Sequence, residues 1–499
     1  MSAELPIVIV GSGFGGIAMA IRLKRAGIDN FVVLEKASDI GGVWRDNTYP
    51  GCACDVPSLY YSFSFEQDYP WSAYHAPYNE IHAYARHCAT KYGVSPHIRF
   101  GVETLGAQFN EARGIWLLET RSGEIIEARA LVSAVGIFGA ATVPNIPGVD
   151  AFKGISFHSS RWRHDFDLTD KRVAAIGVGA SAIQYVPRIA KQVKQLHVVQ
   201  RTPQYVRQRF DGVPPEQRTW YHRTPLYRRR ERRKLWAEFE DGFDIRIQPE
   251  KRMEQERSFR AYLEEQVPDP ALRAKLMPDY PLGCKRVLAS NEFYPALQQA
   301  NVELVTEAIE EITPSGFRTR DGRAREVDAI IYSTGFKPAE YLETLAITGI
   351  GGRKLHDVWD GEPEAYLGAC VTGFPNFFML YGPNTNGSGS IIYMLEAQAE
   401  FITLCIEEMQ RRDAALMQPR AEAQIAFNEM LQERLALTPV AAPGCHTYFK
   451  TKSGKIATQW PARMADYDRR ARNPVWSDFL FERTKATTRA FLSEMAPAK

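Results

Sequence analysis

"LPIVIVGSGFGGIAMAIRLKRAGIDNFVVLEK", residues 5–36, decides the fold of this 499-residue chain. Ile7 to Val10 is an unbroken apolar run, as in a strand buried on both faces of a parallel sheet. Gly11, Gly13 and Gly16 follow as G-x-G-x-x-G, and the segment continues as helix and second strand. Each glycine has its own task. Gly11 allows the sharp turn, Gly13 lets a pyrophosphate approach the backbone, and Gly16 lets the helix pack closely on the sheet. The helix N-terminus offers free N–H groups and about half a positive charge to the phosphates. Glu35 ends the second strand, where a carboxylate accepts hydrogen bonds from a ribose diol. A glycine triplet alone is a weak signal; strand, helix and terminal acid around it make a dinucleotide site.

The pattern occurs twice. "RVAAIGVGASAIQYVPRIAKQVKQLHVVQRTP" (172–203) repeats it with Gly177, Gly179 and Ala182, alanine being allowed at the third place. The spacing from Gly11 to Glu35 equals that from Gly177 to Arg201, so Arg201 stands where the first copy has its acid. An acid there suits a free 2′-hydroxyl, whereas a guanidinium fork grips a 2′-phosphate. The first copy therefore reads as an FAD site. The second reads as an NADPH site, with Ser181 on its turn and Thr202 adding a hydroxyl. Two such sites in one chain imply electron transfer from a nicotinamide to a flavin.

The expected fold class is α/β, with two Rossmann-like dinucleotide-binding domains and a helical insertion in the second. Both halves have a late return: "ALVSAVGIFG" (130–139) and "AIIYSTGFKP" (329–338) are apolar strands that each close a sheet. "PNFFMLYGPNTNGSGS" (375–390) repeats the strand-then-glycine-loop pattern and completes the flavin domain with the helix after it. The prolines of "VPNIPGVD" mark the crossing between domains. The boundaries are 1–142 and 375–499 for the FAD domain, 152–210 and 282–340 for the NADPH domain, 211–281 for the insertion, and 143–151 and 341–374 for linkers. The arginine-rich run "YRRRERRKLWAEFEDGF" in the insertion interleaves acids with bases and reads as a solvated helical face.

Composition bounds the rest. Hydrophobic residues make up 45% and charged residues 24%, ordinary for a globular chain long enough for two or three cores. The net charge of +2 gives no pull toward nucleic acid or an acidic membrane. Glu4 and the interrupting glycines argue against a signal peptide, and no apolar run is long enough for a membrane span. Seven cysteines form no regular framework, which points to a reducing, cytoplasmic setting. Cys445 reads as packed in the C-terminal part. His82 and His87 make no metal-ligand pattern, and no metal is expected. The expected partners are a small-molecule substrate and O2, with no nucleic acid and no membrane, for a monomer or weak homo-oligomer.

Chemistry beyond the nucleotides must come from other stretches. A dithiol reductase of this build needs two cysteines against the flavin; the one close pair, Cys52 and Cys54, has an unusual C-x-C spacing for that use. In "GGVWRDNTYPGCACDVPSLYYSFSF" (41–65), Gly41 and Gly42 permit close approach to a flat ring, and Trp44 and Tyr61 can pack beside it. Asp55 is a carboxylate held near that ring or a surface turn residue. In "GCKRVL" (283–288), Lys285 and Arg286 are adjacent cations with an apolar sequel, read either as an ordinary basic loop or as residues aimed into a site.

"FKGISFHSSRW" (152–162) looks like neither a clean strand nor a clean helix. Its Phe152, Gly154, His158 and Trp162 match F-x-G-x-x-x-H-x-x-x-W, and on these residues the chain resembles the Baeyer–Villiger monooxygenases, the ketone-oxidising branch of the class B flavin monooxygenases. Arg163 stands where that fingerprint ends in Pro or Asp. The resemblance spans nearly the whole chain: both dinucleotide fingerprints, the G-G-x-W segment, the "STG" strand and the "GPNTNGSGS" loop. It implies a linker between the nucleotide domains whose histidine couples their motion. It also implies that Arg286 is the active-site arginine, Asp55 its partner, and Lys285 a contact to the NADPH 2′-phosphate. The implied reaction inserts one oxygen of O2 next to a ketone carbonyl through a flavin peroxide anion, giving an ester or lactone. A fixed guanidinium suits that role because it keeps its charge at any working pH. The nearest alternative is an N- or S-oxygenating class B enzyme, which usually has a phenyl or tyrosyl group at the Trp162 place and lacks the Asp55 and Arg286 pair. A flavin-bound redox sensor is a third reading; it predicts slow NADPH consumption that no small substrate accelerates.

Overall fold

The computed structural model describes residues 5–139, 141–212 and 224–483. Parts of the expected helical insertion (213–223) and of the expected FAD domain (484–499) lie outside the described residues. Ten strands build two parallel sheets. In the first half and the crossing they are β1 (Ile7–Val10), β2 (Phe31–Glu35), β3 (Ile98–Phe100), β4 (Ala130–Ser133) and β5 (Ile155–His158). Then come β6 (Arg172–Ile176), β7 (Gln195–Val199), β8 (Val302–Val305), β9 (Ala329–Tyr332) and β10 (Phe377–Met379).

The sheet orders are β10-β4-β1-β2-β3 and β8-β7-β6-β9-β5. Every residue of β1 and β4 is buried, as the apolar runs require of strands covered on both faces. The two late returns, β4 and β9, lie directly beside β1 and β6. The helix α1 (Phe14–Arg25) follows the first glycine turn, and α2 (Ala182–Ile189) follows the second. Ile17, Ile21, Phe401 and Ile402 share one core, so α1 is covered by the long helix Ile391–Arg411.

Four expectations need correction. The fingerprint stretch is not only a linker: Ile155–His158 is an edge strand paired in parallel with β9, from Ala329↔Ile155 to Tyr332↔His158. Its alternation is weak because, at the sheet edge, Ser156 is exposed while the successive Phe157 and His158 are both buried. Residues 341–374 are more than a linker. Ala346–Thr348 pairs with Thr104–Asn110 in a four-stranded sheet, and Tyr341, Leu345, Leu355 and Phe374 are buried against β1 and β4 residues. Gly106 permits that pairing, because a Cβ there would meet the Ala346 carbonyl oxygen at 2.8 Å.

The helices between 225 and 276 are shared between the two cores rather than seated in the second. Leu235, Trp236 and Phe239 of Pro225–Asp241 pack into the first core, whereas Phe259, Tyr262 and Leu263 of Pro249–Gln266 pack into the second. The arginine-rich helix is also not uniformly solvated. Arg229, Arg230 and Arg233 are exposed. Arg232, on the face of Arg228 and Leu235, donates to the Leu59 carbonyl at 2.6 Å, and Arg228 pairs with Asp68.

Candidate active site

The first glycine turn separates glycines demanded by packing from glycines demanded by something else. Gly11 has φ +104° and a Cβ there would lie 2.6 Å from the Ala134 carbonyl oxygen. At Gly16 a Cβ would lie 2.0 Å from the Gly11 oxygen. Gly13 is different: its φ is −72°, and a Cβ would meet nothing nearer than Gly42 Cα at 3.8 Å. The second turn repeats the split. Gly177 has φ +100° with Ser333 O at 2.4 Å, while Gly179 has nothing within 4 Å. Neither Gly13 nor Gly179 is required by the fold itself; the free space above each fits a pyrophosphate laid on a helix N-terminus.

Glu35, 5% exposed, ends the second strand. Its Oε2 accepts from Ser12 N at 3.0 Å and Ser12 Oγ at 2.8 Å. Its Oε1 accepts from Ala37 N at 2.9 Å and Arg45 Nη1 at 3.1 Å. Ser12 and Arg45 were missed in the sequence; serine between two turn glycines was the available signal for the first.

A cavity of about 830 Å³ runs from this seat to the second domain. Gly11, Gly13, Glu35, Gly42, Trp44, Asp55 and Tyr61 line it, with Lys285 and Arg286. Trp44 Nε1 donates to the Tyr61 hydroxyl at 3.0 Å, holding the two rings edge to face. Gly16, Gly177, Gly179, Ser181, Arg201 and Thr202 are not among its lining residues, though Ala180 and Gln184 of the second turn are. Gly41 has a packing reason: a Cβ would lie 2.5 Å from His82 Cδ2.

Asp55 and Arg286, 231 residues apart, meet in this cavity. Arg286 Nη2 donates to both carboxylate oxygens at 2.6 Å each. Among the described residues its Nη1 and Nε have no partner, so those donors stay available to a ligand. Desolvation pushes the Asp55 carboxyl up, but the Arg286 guanidinium outweighs it and holds the group below the ordinary 3.8. The Asp55 carboxylate in turn raises Arg286 far above the ordinary arginine range. The hydroxyphenyl groups of Tyr381 and Tyr448, both missed in the sequence, line the cavity and lie within the field of Arg286. Tyr381 has φ +61°, a conformation that costs a bulky residue of order 1–3 kcal/mol and that clusters at functional sites.

Lys285 and Arg201 also approach each other. Burial lowers the Lys285 ammonium, and the Arg201 charge lowers it further. Among the described residues neither cation forms an ion pair. Asp279 offsets part of that repulsion at Lys285 without forming an ion pair, and two neighbouring cations outside any ion pair suit a phosphate.

The fingerprint residues are structural in placement. A Cβ at Gly154 would lie 2.5 Å from the Phe152 ring and 2.6 Å from Asp328 O, so the phenyl folds back over the glycine. His158 is buried; its Nδ1 accepts from Ser160 N at 3.2 Å, which places the neutral ring's proton on Nε2. Its ring meets Phe336 edge-on at 5.4 Å. The 333–336 loop is tied to the domain crossing, for Thr142 N donates to Gly335 O at 2.9 Å. Trp162 packs on Phe157 and Tyr185, with ring centroids at 5.3 and 5.2 Å. Arg163 turns outward to Asp165.

The cysteines depart from expectation in one place. Cys445 is buried, as read from sequence, but it is bonded to Cys284 with a Cα–Cα distance of 5.6 Å. A pairing 161 residues apart cannot be read from spacing. The bond joins the loop of Lys285 and Arg286 to the loop of Tyr448. Cys52 and Cys54 are free and buried, and burial pushes Cys52 up to about 12 and Cys54 higher, so neither supplies a thiolate for dithiol chemistry.

Residues 8–213 match the family described as pyridine nucleotide-disulphide oxidoreductase. The chain is 39% identical to a Baeyer-Villiger monooxygenase of Streptomyces coelicolor, over 93% of this chain and 90% of that protein. It is 40% identical to a Baeyer-Villiger monooxygenase of Pseudomonas aeruginosa, over 91% of this chain and 87% of that one. Among solved structures it is similar to OTEMO in complex with FAD and NADP, with a TM-score of 0.87 at 28% identity over 96% of this chain and all of that one. The closed form of cyclohexanone monooxygenase gives 0.85 at 27% identity, covering 96% and 99% of the two chains. With relatives of that identity covering more than nine-tenths of its length, the chain belongs to the Baeyer–Villiger monooxygenases.

Proposed function

We propose that Asp55 and Arg286 form the reacting centre of this enzyme, which uses FAD, NADPH and O2 to insert an oxygen atom next to a ketone carbonyl. The product is an ester or lactone. FAD, once reduced by NADPH, supplies the activated oxygen; the chain's residues place it and stabilise charge. Gly11, Gly13, Gly16, Glu35, Gly42, Trp44, Asp55 and Tyr61 would hold FAD. Gly177, Gly179, Ser181, Arg201, Thr202 and Lys285 would hold NADPH, the last with Arg201 at the 2′-phosphate. Phe152, Gly154, His158 and Trp162 would transmit motion of the second domain, a role supported by the packing of His158 on the 333–336 loop. The domain assignment we propose keeps 1–142 and 375–499 with FAD, and 152–210 and 282–340 with NADPH. It adds 341–374 to the first.

The observation that carries the reading is the one-nitrogen grip of Arg286 on Asp55. It fixes the guanidinium while leaving other N–H donors free to meet negative charge developing on a substrate oxygen. Arginine keeps its charge at any working pH, so this stabilisation does not depend on proton uptake. Asp55 sets the direction of the fork and stays ionised. Nothing in the site or in its relatives favours nitrogen or sulfur oxygenation. We place the enzyme in the cytoplasm as a monomer or weak homo-oligomer, without nucleic acid as partner. The sparse thiols and small net charge support this, and the Cys284–Cys445 bond is the observation that opposes the compartment. Among the described residues no helix is long and apolar enough to cross a membrane.

The test offers cyclic, linear and aryl ketones to the FAD-loaded protein with NADPH and identifies products by mass. Wild type is expected to form esters or lactones. Arg286→Ala is expected to lose this by about 10²- to 10³-fold while NADPH still reduces the flavin. Ketones left intact while amines or sulfides gain oxygen would overturn the reading.

A further inference from the structure

Of the guanidiniums that line the cavity with Arg286, namely Arg45, Arg161, Arg207 and Arg246, the last is used by neither cofactor seat and stands deepest among the helices. Arg246 lines it from the short helix Asp244–Ile247, which lies between the helices shared by the two cores. Its Nη1 donates to Gln459 Oε1 at 3.1 Å. Among the described residues this is its one side-chain hydrogen bond, and no carboxylate ion-pairs with it. Its neighbour Asp244 is occupied by Lys251 and Arg463. An arginine has five N–H donors, so most of the fork is unused. Burial alone pushes the group down to about 10, with no acid offsetting it. Holding a desolvated guanidinium without a counter-charge is costly, and such groups persist where an anion arrives to meet them.

The anion does not come from the cofactor phosphates as seated above. One pyrophosphate belongs to the turn at Gly13, the other to the turn at Gly179, and the 2′-phosphate to Arg201 and Lys285. Arg246 instead belongs to the wall reached from the reacting centre through Tyr381. That tyrosine lies in the field of Arg286 and donates to Asn386 Oδ1 at 3.3 Å. Asn386 in turn is bridged by backbone to Gln459, the residue that holds Arg246. Gln459 is buried and bonded, so the fork it supports is fixed in direction.

We infer that Arg246 is a specificity-determining residue that receives a carboxylate carried by the ketone, so that keto acids are favoured over uncharged ketones of the same shape. The inference rests on the ketone-oxidising reading above and names its substrate class. A carboxylate matches the planar fork with two parallel hydrogen bonds, whereas an ester of the same size offers weaker neutral acceptors.

The experiment compares acetylbenzoate with its methyl ester, and an oxocyclohexanecarboxylate with its methyl ester. It measures kcat/KM by NADPH oxidation with products identified by mass. A second readout is the Kd of acid and ester for the oxidised, FAD-loaded protein, from ligand-induced thermal shift. Wild type is expected to favour the acids by about 10- to 100-fold in kcat/KM, chiefly through KM, and to bind them more tightly. In Arg246→Met both preferences fall to about one. Arg246→Lys keeps the sign of the preference at smaller size, which separates lost charge from lost folding. Two results would overturn the inference: no acid preference in wild type, or equal losses on acid and ester in Arg246→Met. Ester or lactone from uncharged ketones without acid preference sinks this inference alone; no such product from any ketone sinks the reading beneath it as well.

Discussion

The two dinucleotide halves share a topology and differ in how they finish their seats. In each, a central strand is flanked by its glycine-turn partner on one side and its late return on the other. The outer place next to the return is filled by β10, from late in the chain, in the first sheet, and by the fingerprint strand β5, just before the glycine strand, in the second. At the end of the second strand the first half has Glu35, buried and bound by Ser12, Ala37 and Arg45. The second half has Arg201, exposed, with Lys285 as its nearby cation. A closed, fully bonded seat is preorganised for a group that stays. An open seat of cations gains its main contact only when a phosphate arrives. On the proposed seating, the difference fits a resident flavin and an exchanging nicotinamide, with the Asp55–Arg286 pair, drawn from both halves, between them.

This contrast can be broken from either side. The largest effect is expected at Glu35. Glu35→Ala leaves Ser12 and Ala37 donors unpaired and removes the ribose acceptor, so FAD retention should fall by about 10²-fold or more. Flavin absorbance per protein after gel filtration checks it, and full retention would show that the seat does not depend on its acid. A smaller effect is expected at Arg201. Arg201→Ala should raise the NADPH concentration needed for flavin reduction by about 10- to 100-fold, while NADH is little affected and FAD stays bound. Lys285→Ala should act in the same direction by about tenfold, because burial already weakens that ammonium. Stopped-flow reduction with the two nicotinamides reads both.

The outline of the fold was legible because both glycine turns carry backbone demands that show in residue type. Gly11 and Gly177 sit at positive φ against a neighbouring carbonyl, and no other residue satisfies both conditions cheaply. Glu35 and Arg201 were legible from their shared spacing. The Asp55–Arg286 contact was not: the residues are 231 apart, and spacing cannot report a tertiary meeting, so only the family resemblance pointed to it. Ala346–Thr348 escaped because three residues beside a loop carry almost no period, and its partner signal, Gly106, lies far upstream. Arg246 was hidden among charges of a segment that looks solvated. Its isolation from acids is visible only once Asp244 is seen to be taken by Lys251 and Arg463.

The most direct measurement of the closed-against-open account is retention. Wild-type protein loaded with both FAD and NADP+ is dialysed exhaustively at moderate salt, and each nucleotide is then quantified per chain. The account predicts that FAD stays near one per chain while NADP+ is lost. FAD leaving as readily as NADP+, or NADP+ remaining as firmly as FAD, would contradict it.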